Sequence, residues 1–357
     1  MKRRELIKTL SAGALLAHLP VLSQSKIYAG DNPETATALK ARALKPGDTI
    51  GIIAPASAVT SPDDYALVKE LADYLGLKYK FAKNVKKGSG YKTRSVNERI
   101  DDLHEMFSDD EVNAVICIRG GYGSGQILDK MDYALIKKHP KIFIGYSDIT
   151  AMHLAINKMT GLVTFHGPML LASFPQLTID NLKKTIFSSE PIGILKNPDT
   201  KTPVRSANPV RTIKSGKATG KLTGGNLSII CSLMGTKYEI DTKDKILFIE
   251  DVDEEPYRID RMLTQLKTAG KLDQAAGIVF GNCTDCSSSS KLKPSLSWDF
   301  SLAEVLDNVL GDIAKPSFFG LTFGHSPNQF TLPYGVTTEM DADYCSINII
   351  ESHLSGN

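Results

Sequence analysis

The stretch KIFIGYSDITAMHLA, residues 141–155, decides the fold of this chain. Its apolar, β-branched run at 142–144 predicts a buried strand, and the residues from 149 onward have the composition and apolar spacing of a helix. Between them, GYSD at 145–148 predicts a sharp turn with Ser147 at its centre. A strand, a tight turn and a helix together expose one hydroxyl beside the free N–H groups of a helix start. Ser147 is therefore a candidate nucleophile.

The same turn has a second interpretation. The usual nucleophile motif has a second glycine two residues after the serine, where this chain has Ile149. GYSD could therefore be an ordinary strand-ending turn in which Asp148 caps the helix. The rest of the chain has to decide between the two interpretations.

Strands and helices alternate around this turn. Helices are predicted at 62–75, 96–107 and 124–136, the last one broken near Lys130, and strands at 49–54, 78–82, 114–118, 142–144 and 162–165. Near-continuous apolar strands separated by helices are typical of a parallel sheet covered on both faces. We predict an α/β fold: an N-terminal doubly wound, mostly parallel sheet that carries the nucleophile turn, and a smaller C-terminal α/β domain with a helix at 302–310. In such sheets, sites form at the carboxyl ends of the strands, so Ser147 and the glycine loop at 119–123 are expected to be neighbours.

Composition divides the chain into four parts. Residues 1–29 begin with a basic region and continue with an apolar stretch too short to span a bilayer, and RRELIK at 3–8 resembles the twin-arginine export signal. An ordinary secretory signal is the alternative. The nucleophile domain is predicted at 42–175, a linker at 176–215 and the C-terminal domain at 216–351. We expect a periplasmic or otherwise exported protein, with no integral membrane segment once the signal is removed.

Composition and charge also limit the possible partners. The chain has 357 residues, of which 42% are hydrophobic and 23% charged, and a formal net charge of +2. These values are ordinary for a soluble globular protein and give no basic surface for nucleic acid. The five cysteines are scattered, which argues against a disulfide scaffold, and the C-x-x-C pair Cys283 and Cys286 has no second pair at zinc-ribbon spacing. The glycine loop lacks the lysine of a phosphate-binding loop, so nucleotide binding is disfavoured.

A serine nucleophile needs a base within hydrogen-bond reach and an acid that orients the base. Of the seven histidines, His166 and His325 each follow an apolar strand, and the pattern does not choose between them. Glu250 and Asp251 directly follow the apolar run at 245–249, where a buried carboxylate needs a partner. Acids at this place could instead precede the next helix and favour its positive end.

Attack on a carbonyl also needs N–H donors near the serine, because negative charge develops on the carbonyl oxygen. The N–H of Asp148 comes with the turn. The Gly120-Gly121 loop could supply another donor, since glycine lets the backbone approach closely.

Several short motifs occur in the order found in one known family. They are KPGD at 45–48, RGGYG at 119–123, GYSD at 145–148, HGP at 166–168, GGN at 224–226, ED at 250–251 with PYRIDR at 256–261, and GH at 324–325. Over residues 42–350 the chain resembles the LD-carboxypeptidases, the murein tetrapeptide carboxypeptidase family of serine peptidases, together with their microcin-immunity relatives.

The resemblance implies a Ser-Glu-His triad. Ser147 matches the family nucleophile, Glu250 the orienting acid and His325 the base, while Gly121 and Asp148 match the oxyanion donors. It also implies that the protein uses no metal or cofactor and commonly forms a homodimer. The implied reaction is hydrolysis of an L-to-D peptide bond, which releases the terminal D-alanine of murein tetrapeptides.

Two other functions stay open at this point. One is a microcin-immunity type of peptidase, which cleaves an acyl linkage in a peptide–nucleotide. The other is an exported protein that binds muropeptides without cleaving them, although all three triad positions are filled. Export itself departs from the many cytoplasmic members of the family and leaves the physiological peptide open.

Overall fold

Two β-sheets form the frame of the protein. The computed structural model describes residues 38–88, 95–198, 209–288 and 300–356, which all belong to one compact unit spanning 37–357. Within these ranges, one sheet has six strands and the other has eight. The predicted export signal, residues 1–29, lies outside the described residues.

The described strands alternate with helices through much of the chain. The strands are β1 (Thr49–Ile53), β2 (Lys78–Phe81), β3 (Val112–Cys117), β4 (Ile142–Gly145), β5 (Phe165–His166), β6 (Gly193–Leu195), β7 (Arg211–Lys214), β8 (Lys217–Asn226), β9 (Lys245–Val252), β10 (Gly277–Thr284), β11 (Ser317–Leu321), β12 (Leu332–Pro333), β13 (Thr337–Asp341) and β14 (Ser346–Ile349). The helices are α1 (Pro62–Leu75), α2 (Val96–Ser108), α3 (Tyr133–Lys138), α4 (Thr150–Thr160), α5 (Gln176–Phe187), α6 (Leu227–Ser232), α7 (Pro256–Thr268), α8 (Lys271–Gln274) and α9 (Leu302–Leu310).

The six-stranded sheet has the order β12-β5-β4-β3-β1-β2. Its strands are parallel except β12, which pairs antiparallel with β5. All four residues of β4 are buried, as expected for a central strand covered on both faces. The predicted α/β fold with a mostly parallel N-terminal sheet is therefore confirmed.

The eight-stranded sheet has the order β6-β14-β13-β8-β9-β10-β11-β7. Strands β8 to β11 are parallel neighbours, and the strands on either side of them pair antiparallel. It is the wider of the two sheets, although the sequence predicted a smaller C-terminal domain.

The stretch predicted as a linker, 176–215, contains α5 and two strands. Strand β6 pairs with β14 and strand β7 pairs with β11, so both are edge strands of the eight-stranded sheet. Conversely, β12 from the C-terminal half completes the six-stranded sheet. The division at 42–175 and 216–351 stays a prediction.

The helix predicted at 124–136 is wrong in part. Two short 3₁₀ turns occupy Ser124–Gln126 and Leu128–Lys130, and the α-helix begins only at Tyr133. The N–H and hydroxyl of Ser124 are bonded to Asp148, so the start of this stretch is fixed by a tertiary contact that the local pattern does not show. In the described ranges, no helix is both long enough and apolar enough to cross a bilayer.

Candidate active site

Three predicted site residues meet at the carboxyl ends of parallel strands. Ser147 lies two residues beyond β4, Glu250 lies near the end of β9, and His325 lies four residues beyond β11. Nε2 of His325 is 3.1 Å from Oγ of Ser147, and its Nδ1 is 2.7 Å from Oε2 of Glu250. A hydroxyl, an imidazole and a carboxylate thus form one hydrogen-bonded chain.

The turn after β4 holds Ser147 in an uncommon backbone conformation. Its φ is 63°, in the left-handed region that residues other than glycine seldom adopt. Ile149, which replaces the second glycine of the usual motif, is fully buried. A Cβ on Gly145 would lie 2.8 Å from Cγ2 of Ile149, so glycine at 145 makes room for the larger side chain at 149.

Glu250 is fully buried and directed at His325. Besides the ring nitrogen, its Oε2 accepts a bond from the backbone N–H of His325 at 3.2 Å, and its Oε1 accepts one from Asn226 at 3.3 Å. Burial raises the pKa of the Glu250 carboxyl. The charge and hydrogen bonds of His325 lower this pKa by a larger amount, so it lies below its usual value. Gly324 permits this contact, because a Cβ there would lie 2.4 Å from Oε2 of Glu250.

The imidazole of His325 is held between the acid and the hydroxyl. Burial lowers its pKa, but the charge and hydrogen bond of Glu250 raise it more, so the pKa lies above the ordinary 6.5. The ring of Tyr146 packs edge-on against it at 5.0 Å between centroids. The His325 side chain is 20% exposed to solvent, so a molecule in the solvent can reach it.

The glycine loop lies against Ser147. A Cβ on Gly120 would be 3.1 Å from Cβ of Ser147. Ser57 braces this loop from the end of β1: its N–H donates to the carbonyl of Gly120 at 3.3 Å, and its hydroxyl accepts from the N–H of Tyr122 at 3.1 Å. Gly121 has a φ of 112°, and a Cβ on it would lie 2.2 Å from Oγ of Ser57, so only glycine fits there.

Asp148 joins the turn to the same loop. Its carboxylate accepts a bond from the N–H of Ser124 at 2.8 Å, and its carbonyl accepts one from the Ser124 hydroxyl at 2.5 Å. The two residues predicted to donate to an oxyanion, Gly121 and Asp148, therefore belong to segments that are tied together. Their role as donors stays a prediction.

Arg99 also holds the loop, and the sequence reasoning missed it. From α2, its buried guanidinium donates through Nη1 to the carbonyls of Pro55 and Gly123, both at 2.8 Å. A signal was available: Arg99 precedes Leu103 and Met106 by four and seven residues, which places it on the apolar face of its helix.

Asp251 has a different role from its neighbour Glu250. Its Oδ2 accepts from the N–H and hydroxyl of Ser228 at 2.9 and 2.8 Å, and its Oδ1 accepts from Asn226 at 3.0 Å. Burial and the charge of Glu250 raise the pKa of Asp251 to about 6. Asp251 thus fixes the start of α6, where Asn226 is the N-cap residue.

His166, the second candidate base, is fully buried among aromatic rings. Phe248 and Tyr146 lie 5.3 and 6.1 Å from it between centroids. Burial lowers its pKa to about 4. Since His325 is the imidazole bonded to Ser147, the geometry favours His325 as the base.

Within the described part of the chain, no cluster of histidine, cysteine and acidic side chains is arranged to hold a metal ion.

The fold and this serine–histidine–glutamate chain define a class of peptidase, and comparison with known proteins identifies the family. Residues 50–167 match the family model of the LD-carboxypeptidase N-terminal domain, and residues 219–340 match that of the LD-carboxypeptidase C-terminal domain. The chain belongs to the LD-carboxypeptidase family, which confirms the resemblance drawn from its motifs.

Two of the curated relatives illustrate what this chain is similar to. The chain is 45% identical over 307 residues to the probable murein peptide carboxypeptidase of Bacillus subtilis. This match covers 85% of this chain and 91% of that protein. It is 31% identical over 345 residues to the microcin C7 self-immunity protein MccF of Escherichia coli, covering 89% of this chain and 97% of MccF.

Two solved structures of similar fold carry the same two descriptions. The structure of MccF in complex with glutamyl sulfamoyl guanosine matches with a TM-score of 0.79 and 28% identity, covering 89% of this chain and all of that one. The muramoyltetrapeptide carboxypeptidase from Oxalobacter formigenes matches with a TM-score of 0.73 and 28% identity, covering 86% of this chain and all of that one.

Proposed function

We propose that the protein is a serine-type LD-carboxypeptidase that releases the terminal D-alanine of murein tetrapeptides. One observation carries the proposal: Nε2 of His325 is 3.1 Å from Oγ of Ser147 while Nδ1 is 2.7 Å from Glu250. Kinship at 45% identity with the probable murein peptide carboxypeptidase of Bacillus subtilis supports the choice of substrate.

The proposed reaction begins with the tautomer of His325. Because Glu250 is ionised, it accepts the Nδ1–H and leaves Nε2 as an acceptor facing the Ser147 hydroxyl. Oγ attacks the carbonyl carbon that precedes the D-residue, and its proton moves to Nε2. The negative charge that develops on the carbonyl oxygen is stabilised by the N–H groups of Gly121 and Asp148.

The second half of the reaction returns the enzyme to its starting state. His325 gives its proton to the departing amine, so D-alanine leaves and an acyl-serine ester remains. Water then attacks the ester while His325 accepts its proton, and the shortened peptide leaves. Glu250 stabilises the imidazolium formed in each half.

Mass spectrometry of a defined murein tetrapeptide incubated with the pure protein tests this function. We expect the loss of one alanine and an unchanged mass for a control peptide ending in L-alanine. A tetrapeptide that stays intact after prolonged incubation would contradict the proposal.

A microcin-immunity type of activity is the second candidate, and the match to MccF with a TM-score of 0.79 favours it. Supplying one preparation with a peptide–nucleotide acyl conjugate and with the tetrapeptide separates the two functions. Faster cleavage of the conjugate would favour the second. A muropeptide-binding protein without activity would cleave neither compound and would leave Ser147 unlabelled by a serine-directed phosphonate.

We also propose that the protein is exported by the twin-arginine route, based on RRELIK at residues 3–8. Replacing both Arg3 and Arg4 by lysine is expected to keep the precursor in the cytoplasm, because that route requires the arginine pair. Immunoblots of periplasmic and cytoplasmic fractions measure this, with Lys2→Arg as the control that leaves the pair intact. Normal export of the double variant would refute the assignment.

The homodimer implied by the family resemblance stays a prediction.

A further inference from the structure

The C-x-x-C pair lies beside the residues that hold the base. Cys283 and Cys286 are joined by a disulfide at the end of β10. Cys283 is in register with Asp251 on β9, one residue beyond Glu250. The disulfide closes a small ring that contains Thr284 and Asp285.

Thr284 connects this ring to the base. Its hydroxyl donates a hydrogen bond to the backbone carbonyl of His325. Its own carbonyl accepts from the N–H of Asp253 at 2.9 Å, which ties the ring to the loop after β9. On the same strand, one residue before Cys283, Asn282 donates to the hydroxyl of Ser326 at 3.0 Å. Asn282 and Thr284 therefore hold His325 and Ser326 in place through hydrogen bonds.

The ring contains one residue in an uncommon backbone conformation. Asp285 has a φ of 57°, in the left-handed region that costs free energy for a residue other than glycine. Because the disulfide restrains both ends of this turn, it keeps Thr284 in place under the carbonyl of His325. In the dithiol form, the turn loses this covalent restraint and is held only by its hydrogen bonds, among them those from the N–H of Cys286 to the carbonyl of Cys283 and from the N–H of Asp253 to the carbonyl of Thr284.

We propose that the Cys283–Cys286 disulfide is a positioning element for His325, so that the rate of the reaction depends on the redox state of this pair. The inference rests on the proposed function of the site. Thr284 is the positioning residue through which the disulfide acts.

The redox step itself is an ordinary exchange with a dithiol. A thiolate of the dithiol attacks Cys283, which is partly exposed, and breaks its bond to the buried Cys286. The second thiol of the reagent then closes its own disulfide and releases Cys283. Two electrons and two protons pass from the dithiol to the protein, which ends with two thiols.

Three other cysteines in the described residues are free, and two of them, Cys117 and Cys345, are buried. Cys231 is half-buried and lies on α6. Cys231→Ser is therefore a matched control for any response to a reductant.

The test compares the oxidised protein with protein reduced by dithiothreitol, with the redox state verified by alkylation and mass. Reduction is expected to lower kcat roughly 10- to 100-fold, because a small misplacement of a catalytic group has effects of this size, and to leave KM almost unchanged. The double variant Cys283→Ser, Cys286→Ser should have the low kcat and no response to dithiothreitol, whereas Cys231→Ser should respond like the wild type.

Thr284 separates positioning from general stability. Thr284→Val removes the hydroxyl at similar volume and should lower kcat by a similar factor in the oxidised protein, while Thr284→Ser should restore it. Hydrogen exchange of the peptide that contains residues 323–327 adds a readout independent of turnover, and it should become faster on reduction.

The outcomes distinguish this inference from the proposed function. If the oxidised protein releases D-alanine and verified reduction changes neither kcat nor the exchange of 323–327, the inference is wrong while the function stands. If the oxidised protein releases nothing, the proposed function is wrong, and the exchange of 323–327 alone decides the positioning role.

Discussion

Ser147→Ala is expected to lower kcat for D-alanine release by roughly 10⁴- to 10⁶-fold, because the variant lacks the oxygen that attacks the carbonyl in the proposed mechanism. The fold should persist, since alanine is smaller than serine by one oxygen and β4 and α4 keep all their buried contacts. Release of D-alanine from the tetrapeptide, followed by mass spectrometry, measures the loss. A serine-directed phosphonate should label the wild type and not the variant.

The control for this variant is a serine far from the site. Ser108, exposed at the end of α2, bonds only to carbonyls of its own helix. Ser108→Ala should keep the wild-type rate. If Ser147→Ala kept its rate within tenfold of the wild type, the nucleophile would have to be another group, and the proposed mechanism would fail.

Glu250→Gln is expected to lower kcat by roughly 10³- to 10⁴-fold, the size of effect found when a triad acid is replaced by its amide. The amide keeps the shape of the side chain but carries no charge. It therefore neither fixes the tautomer in which Nε2 faces Ser147 nor stabilises the imidazolium. The control is Glu111→Gln, which removes an exposed carboxylate ahead of β3 and should leave the rate unchanged.

The pH profile adds a signature that a folding defect would not produce. His325 accepts a proton only when it is neutral, so kcat/KM should rise with pH through its pKa. In the wild type, this midpoint should lie above 6.5, because Glu250 and, more weakly, Asp251 raise the pKa against the effect of burial. Without the charge of Glu250, burial should shift the midpoint to lower pH. A midpoint that stays in place would mean that Glu250 does not act on the base.

Features encoded by local sequence were predictable. The predicted helices at 62–75 and 302–310 coincide with α1 and α9, since Ser61 and Ser301 are N-caps that any chain with these neighbours would use. Ser147 was found for the same reason, because strand, turn and helix are adjacent in the chain.

Features that depend on tertiary contacts were not predictable from local pattern. His325 and Ser147 are 178 residues apart, and only the family resemblance distinguished His325 from His166. Ser57 lies in a loop and Ser124 begins a short 3₁₀ turn, and neither short polar side chain belongs to an apolar pattern that would mark its role. Strands β6 and β7 are short edge strands with exposed residues, which gives them too little apolar alternation to be recognised.

At position 147, the left-handed backbone conformation favours glycine, whereas the proposed reaction needs a serine hydroxyl. Glycine adopts that conformation with less steric strain than serine, but a chain with glycine at 147 would lack the proposed nucleophile. Selection for turnover therefore retains a local instability that selection for thermal tolerance would remove. An effort to make the protein more heat-resistant has to look for its gains away from this turn.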